Sequence, residues 1–158
     1  MKTIFVSLAL LSAVKIYGQI GEIGGAVNWN VHGSAPSAGP TIAIEFTPVE
    51  DWLEIEVGAT RSGSNGVSEW SFDLLCKKPF AISQKFEFMV GLGPEFSSTK
   101  TNGLTSTDWG AEFALDLMYW PFKKRRFGWY VEPAYDYSFG AGNEQAVGFN
   151  AGLLIAIK

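Results

Sequence analysis

The segment WGAEFALDLMY, residues 109–119, alternates large apolar side chains with small or acidic ones. Successive side chains of a β-strand point to opposite faces, so this alternation predicts a strand with two chemically opposed surfaces. The segment FEFMVGLG, residues 86–93, has the same pattern. The two-residue period runs, with few breaks, from Ile20 to the end of the chain, and it predicts an all-β fold.

Turn signals divide this pattern into eight predicted strands. Their expected bounds are residues 20–31, 40–47, 52–60, 67–77, 84–96, 107–120, 127–139 and 145–158. The odd-numbered strands are followed by the polar stretches HGSAPSAG, RSGSNG, SSTKTNGLTS and GAGNE, which define a loop end. Pro-containing or basic turns follow strands two, four and six and define a turn end. Eight antiparallel strands with both termini at the turn end would give this alternation.

The first residues have the anatomy of a secretory signal. Lys2 supplies a positive charge, and the apolar run at residues 4–14 is shorter than the roughly 20 residues of a bilayer-spanning helix. We expect a signal peptide at residues 1–18 and a single barrel domain at residues 19–158. Loss of Lys2 and Lys15 with the signal would change the formal charge from −4 to −6. An acidic chain without a basic stripe excludes nucleic acid as an expected partner.

The alternation alone also fits a soluble lipocalin-like barrel, whose apolar face points inward. Here the polar face is crowded with glycine and alanine, which suits the narrow interior of an eight-stranded barrel better than a solvated surface. The apolar face carries aromatic residues at both strand ends, as in barrels that span a bilayer. The predicted aromatic girdles are Trp29, Trp70, Trp109 and Tyr137 at the loop end, and Phe46, Phe86, Tyr119 and Trp129 at the turn end.

With this architecture the predicted mature chain resembles the small eight-stranded outer-membrane barrels of Gram-negative bacteria, such as the OmpA transmembrane domain and OmpX. Stretches such as FEFMVGLGPEF, residues 86–96, and GFNAGLLIAIK, residues 148–158, carry the resemblance. It implies a porin-like, antiparallel up-and-down transmembrane β-barrel in the bacterial outer membrane, in contact with lipid and monomeric. Such proteins usually end in an aromatic residue, whereas this chain ends in Ile157 and Lys158.

The inward phase is rich in acids. The predicted acidic layer of the lumen comprises Glu45, Glu54, Glu56, Asp73, Glu87, Glu112, Asp116, Glu132 and Asp136. Crowded carboxylates cannot all be ionised in a low-dielectric lumen unless water or cations offset their repulsion. A cation-attracting lumen or metal site is one interpretation, and a hydrogen-bonded plug is the favoured one. Without partnering histidine or cysteine the acids predict no specific metal geometry, and no cofactor is expected.

The predicted function is a non-enzymatic outer-membrane barrel with a structural role or a role in binding surface ligands through its loops. A narrow cation-preferring pore is the first alternative, and a lipid-modifying enzyme is the second. Histidine beside serine is the usual hydrolase pair, and only His32 near Ser34 offers it, in a Gly/Ser/Pro-rich loop. The sequence therefore predicts no catalytic residues.

Two smaller features carry their own expectations. The basic turn KKRR, residues 123–126, could bind lipid phosphates or an acidic partner, or simply be a solvated turn that fixes topology. Cys76 is the single cysteine, so it cannot form an internal disulfide. It shares the outward phase with Trp70 and Leu74, and we expect its thiol to face lipid near the turn end.

Overall fold

The protein is described by a computed structural model that covers residues 18–31, 36–140 and 143–157. Its strands are β1 (Gln19–Asn30), β2 (Ser37–Val49), β3 (Leu53–Ser64), β4 (Val67–Ala81), β5 (Phe86–Thr101), β6 (Leu104–Tyr119), β7 (Phe127–Ser138) and β8 (Gln145–Ile157). Each strand pairs antiparallel with its neighbours in the chain, and β1 pairs with β8 to close the barrel. The predicted antiparallel up-and-down eight-stranded barrel is therefore confirmed. The predicted signal peptide, apart from Gly18, lies outside the described residues.

The two faces of the wall separate as the alternation predicts. On β6, Trp109 is 63% exposed and Phe113 and Leu117 are also exposed, whereas Glu112 and Asp116 between them are buried. Along the other strands, too, successive side chains point alternately outward and into the lumen, so the parity of a residue, its odd or even position in the strand, decides its face. The outer wall is therefore apolar, and the acids lie in the lumen. No helix among the described residues is long and apolar enough to cross a membrane.

Two of the predicted loops at the loop end are wrong, because most of their residues are strand. β3 and β4 are joined by the two residues Asn65 and Gly66, and β5 and β6 by Asn102 and Gly103. All four have left-handed φ angles, of 47°, 82°, 52° and 83°. Asn-Gly accepts this conformation, and its twist matches that of the flanking strands, so the strands stay paired up to the turn. The stretches RSGSNG and SSTKTNGLTS are therefore tall, tight hairpins.

The connections at the turn end lie where Pro-containing or basic turns are predicted, but the ends of β4 and β6 are shifted. β4 continues past Lys77 to Ala81, with Pro79 in register with Met89 of β5. The connection of residues 120–126 between β6 and β7 is longer than either Asn-Gly turn. It begins with Trp120, whose side chain folds into the barrel and is only 2% exposed. Burial of this large ring accounts for a connection that leaves the wall and returns to it.

Candidate functional site

The charged centre of the lumen is the ammonium group of Lys77. β4 directs this side chain inward, where the residue is 1% exposed. Its Nζ donates hydrogen bonds to Oε2 of Glu56 at 2.5 Å, to Oε2 of Glu132 at 2.8 Å and to Oδ2 of Asp116. Oε1 of Glu45 lies 3.5 Å from the same nitrogen. One lysine thus bridges carboxylates from β2, β3, β6 and β7 across the interior of the barrel.

The centre carries more negative charge than one lysine can balance. Glu22 of β1 is buried in the same region, which gives five carboxylates around one ammonium group. Glu132 gains a further hydrogen bond from Nδ2 of Asn150 at 2.8 Å. Among the described residues, Oε1 of Glu22, both oxygens of Glu45 and Oδ1 of Asp116 find no hydrogen-bond donor. Burial of charge without full pairing is unfavourable, so this region demands a compensating proton or cation.

An apolar plug fills the lumen at the turn end. It consists of Met89, Met118, Trp120, Tyr130 and Leu154, with Ile20 packed against them. On the outer side of the plug the guanidinium of Arg125 lies 6.0 Å from the centre of the Trp120 ring. Arg125 also forms an ion pair of 2.9 Å with Glu87. The plug therefore fills the lumen at the turn end, and this ion pair lies beside it.

The loop end, in contrast, is open. A vestibule of about 480 Å³ is lined by hydroxyl, amide and acidic side chains, and its acids are Glu69, Glu95, Asp108, Asp136 and Glu144. No lysine or arginine is among its described lining residues. Below it a smaller cavity of about 30 Å³ reaches Glu22, Glu56 and Glu132. Asn28, Glu95 and Asp136 line both cavities, so an acidic path leads from the loop end towards the charged centre.

The nine acids expected in the lumen differ in their surroundings. Glu45, Glu56, Asp116 and Glu132 surround Lys77, and Asp73, Glu112 and Asp136 line the smaller cavity. Glu54 is buried on β3 towards the turn end, and Glu87 pairs with Arg125. The sequence does not single out Lys77 as the centre of this arrangement. Nor does the sequence identify Trp120 as part of a plug, although this residue continues the series of inward-facing even positions of β6.

The eight predicted girdle residues lie near the two ends of the outer wall. Trp29, Trp70, Trp109, Phe86 and Trp129 are exposed, and Phe46, Tyr119 and Tyr137 are half-buried. At the turn end the rings of Phe86 and Tyr119 stack at 4.8 Å. At the loop end the rings of Phe96 and Trp109 lie 5.1 Å apart. His32 and Ser34, the residues weighed for hydrolase chemistry, are outside the described part of the chain.

Known structures share this architecture. Neisserial surface protein A is similar with a TM-score of 0.65 and 17% identity, over 87% of this chain and 95% of that one. A second similar structure is that of Ail, the attachment invasion locus protein of Yersinia pestis, in complex with the heparin analogue sucrose octasulfate. Its TM-score is 0.62 at 13% identity, over 89% of this chain and 99% of that one. The outer membrane enzyme PagL is similar with a TM-score of 0.52 and 12% identity, over 86% and 99%.

These likenesses define the class of fold, which is that of the small eight-stranded transmembrane barrels of bacterial outer membranes. The resemblance expected from the sequence is confirmed at this level. The class includes an enzyme as well as an attachment protein, so the fold alone does not assign an activity. No protein-family profile matches the sequence, and no curated protein does.

Proposed function

We propose that this protein is a monomeric, non-enzymatic barrel of the bacterial outer membrane that does not conduct ions and presents its loop end for surface interactions. The observation that carries this proposal is the filled lumen. The Lys77 cluster occupies its middle and the Met89, Met118 and Trp120 plug occupies its turn end. The vestibule at the loop end is left as the open concave surface, and such surfaces are the usual ligand sites.

The outer wall supports the membrane location. Large apolar residues that a soluble protein would bury, such as Ile42, Val57 and Leu92, are at least half exposed along the middle of the strands. Aromatic rings mark both ends of this apolar band, at the depth where headgroups meet acyl chains. Lipid is therefore the expected partner of the wall. Outer-membrane fractionation, together with a gel mobility that changes on boiling, is the expected behaviour of the mature chain.

Conductance in planar bilayers tests the proposal against a narrow cation-preferring pore. We expect the purified, refolded protein to give no steady single-channel current, because side chains block the lumen at two levels. A general porin inserted under the same conditions serves as the positive control. A reproducible current with a reversal potential that favours cations would overturn the non-conducting assignment and support the pore.

Two further experiments test the orientation and the absence of catalysis. An epitope inserted between Asn102 and Gly103 should be accessible to antibody on intact cells, since this hairpin is expected to face outward. A tag that is reached only after the cells are permeabilised would show the opposite orientation.

Lipid A from a deletion strain should have an unchanged mass spectrum. A mass difference that the restored gene removes would make the protein a lipid-modifying enzyme.

A further inference from the structure

We propose that the lumen binds one Ca²⁺ ion through the carboxylates of Glu22, Glu45 and Glu56. These residues lie on β1, β2 and β3, three consecutive strands of the wall. Each can offer one carboxylate oxygen such that the three oxygens all lie within 4.8 Å of one another. The order of residues in the sequence did not reveal this convergence, because it depends on how the three strands are staggered.

Unpartnered oxygens give the second and independent indication of a ligand. Glu22 is 3% exposed and Glu45 is 1% exposed, yet Oε1 of Glu22 and Oε2 of Glu45 have no donor among the described residues. Glu45 and Glu56 are directly opposite each other in the β2–β3 register. Like charges at such positions repel, so a cation bound between the two carboxylates would reduce their repulsion.

Lys77 does not by itself compensate the negative charge of Glu45 and Glu22. Its three short hydrogen bonds go to Glu56, Asp116 and Glu132. The closest oxygen of Glu45 is 3.5 Å from its Nζ, which is longer than a normal hydrogen bond to nitrogen. Oε2 of Glu56 is the atom bound to Lys77, so Glu56 joins the lysine to the glutamate triad. The arrangement has places for two cations, one of which is the ammonium group.

The donor set favours Ca²⁺. Carboxylate oxygens are hard ligands, and Ca²⁺ accepts them at about 2.3–2.6 Å in flexible geometries. Three oxygens that lie within 4.8 Å of one another can all reach a single ion at these distances. Mg²⁺ requires about 2.0–2.1 Å and a near-ideal octahedron and gives up its water ligands reluctantly, so a site of buried carboxylates suits it less well. The adjacent cavity of about 30 Å³ has room for a water ligand.

The vestibule provides the route of entry. Its acidic lining attracts cations from the loop end, and field lines concentrate in such clefts. The residues that it shares with the smaller cavity lead to Glu22 and Glu56. Entry from this side does not require a current through the barrel, because the ion stops above the apolar plug. Binding of Ca²⁺ therefore does not depend on the surface role of the loop end.

Calorimetry with Ca²⁺ on the refolded wild-type barrel in detergent tests the proposal first. We expect one binding site per barrel, and luminescence of Tb³⁺, a Ca²⁺ substitute, that is excited through aromatic residues such as the nearby Tyr130 and displaced by Ca²⁺. The absence of a one-site isotherm in the wild-type protein overturns the proposal. Binding of Mg²⁺ as tight as that of Ca²⁺ overturns the assignment of the ion.

Variants then locate the site. Glu22→Gln and Glu45→Gln should each weaken Ca²⁺ binding by about tenfold or more, because affinity follows the number of charged ligands. Glu54→Gln is the matched control, since Glu54 is buried on the same strand as Glu56 but outside the triad. It should change the Kd by less than about twofold. An equal loss in Glu54→Gln would show diffuse charge attraction and overturn the assigned site. The boiling-dependent gel shift verifies that each variant has folded. If a variant does not fold, the calorimetry on the wild-type protein alone decides whether the Ca²⁺ site exists.

Discussion

Nζ of Lys77 lies 2.8 Å from Oε2 of Glu132, although the two residues are separated by 55 positions in the chain. The lysine comes from β4 and the glutamate from β7, and these strands are not neighbours in the barrel. The ion pair therefore crosses the lumen and connects opposite walls, whereas backbone hydrogen bonds connect only adjacent strands. Stability should accordingly depend on Lys77 more than on any lysine of the surface.

Replacement of Lys77 by Met should destabilise the barrel by about 3–5 kcal/mol, because Glu56, Asp116 and Glu132 would remain buried without their counter-ion. Urea titration of the barrel in lipid vesicles, followed by tryptophan fluorescence, measures the free energy of unfolding. The exposed Lys85→Met is the control and should change it by less than about 0.5 kcal/mol. Adding Asp116→Asn to Lys77→Met should recover part of the loss. Equal effects of the two lysine variants would contradict a central role for Lys77.

Replacement of Trp120 by Ala should cost about 3–5 kcal/mol, since the ring is the largest side chain in the apolar plug. The variant should still give no steady current in planar bilayers, because the Lys77 cluster blocks the lumen at a second level. Trp52→Ala is a suitable control, as this tryptophan is exposed on the outside of the turn end. Steady channels in Trp120→Ala would mean that the plug alone seals the barrel.

Gly93→Ala should destabilise the barrel by about 1–3 kcal/mol, because the added carbon would collide with the neighbouring strand. A Cβ at this position would lie 2.8 Å from the carbonyl carbon of Leu74 and 3.0 Å from Cα of Leu75. Gly25→Ala is the matched control, since its Cβ would meet nothing closer than the carbonyl oxygen of Gly39 at 3.8 Å. Urea titration of both variants gives the comparison. If both have wild-type stability, the close approach of β4 and β5 at Gly93 is not present in solution.

A spin label on Cys76 should collide readily with oxygen dissolved in the bilayer and rarely with a water-soluble nickel chelate. The thiol is exposed on the outer wall, one residue from the inward-facing Lys77. The control is a label on Leu75→Cys in a Cys76→Ser background, since Leu75 is fully buried. That label should be shielded from both reagents, provided that the gel shift shows a folded barrel. Higher accessibility of Cys76 to the chelate than to oxygen would mean that this part of the outer wall does not face lipid.

The strands and their two faces could be predicted because both depend on a local property. The parity of a residue within its strand decides whether it points to the lumen, as for Trp109 and Asp116 on β6. The same parity places Trp120 inward, but the sequence predicts only that a strand ends there and not that the ring belongs to a plug. The Asn-Gly pairs lie within stretches whose polar composition predicts loops, although Asn-Gly is also a strong signal for a two-residue hairpin turn.

The composition of the charged centre could not be predicted in the same way. Parity indicates which residues point inward but not their height along the barrel axis, which depends on the tilt and stagger of the strands. Asp116 and Glu132 meet at Lys77, whereas Asp73 lines the smaller cavity without an ion pair to Lys77 and Glu87 pairs with Arg125, despite the same parity. The meeting point is thus a property of the closed barrel and not of any one segment.

The tight turn at Asn102 and Gly103 has a consequence for recognition at the rim. β5 and β6 remain paired from Phe86 and Tyr119 up to Thr101 and Leu104, so the backbone of the hairpin is ordered to its tip. In a flexible loop of similar length, the loss of conformational entropy would cost about 1–2 kcal/mol of binding free energy for each residue that a ligand fixes. The hairpin has already lost that entropy when the barrel folds. A partner that docks on its row of serine and threonine hydroxyls therefore meets a rigid surface, and its affinity depends on fit rather than on the ability of the loop to adapt.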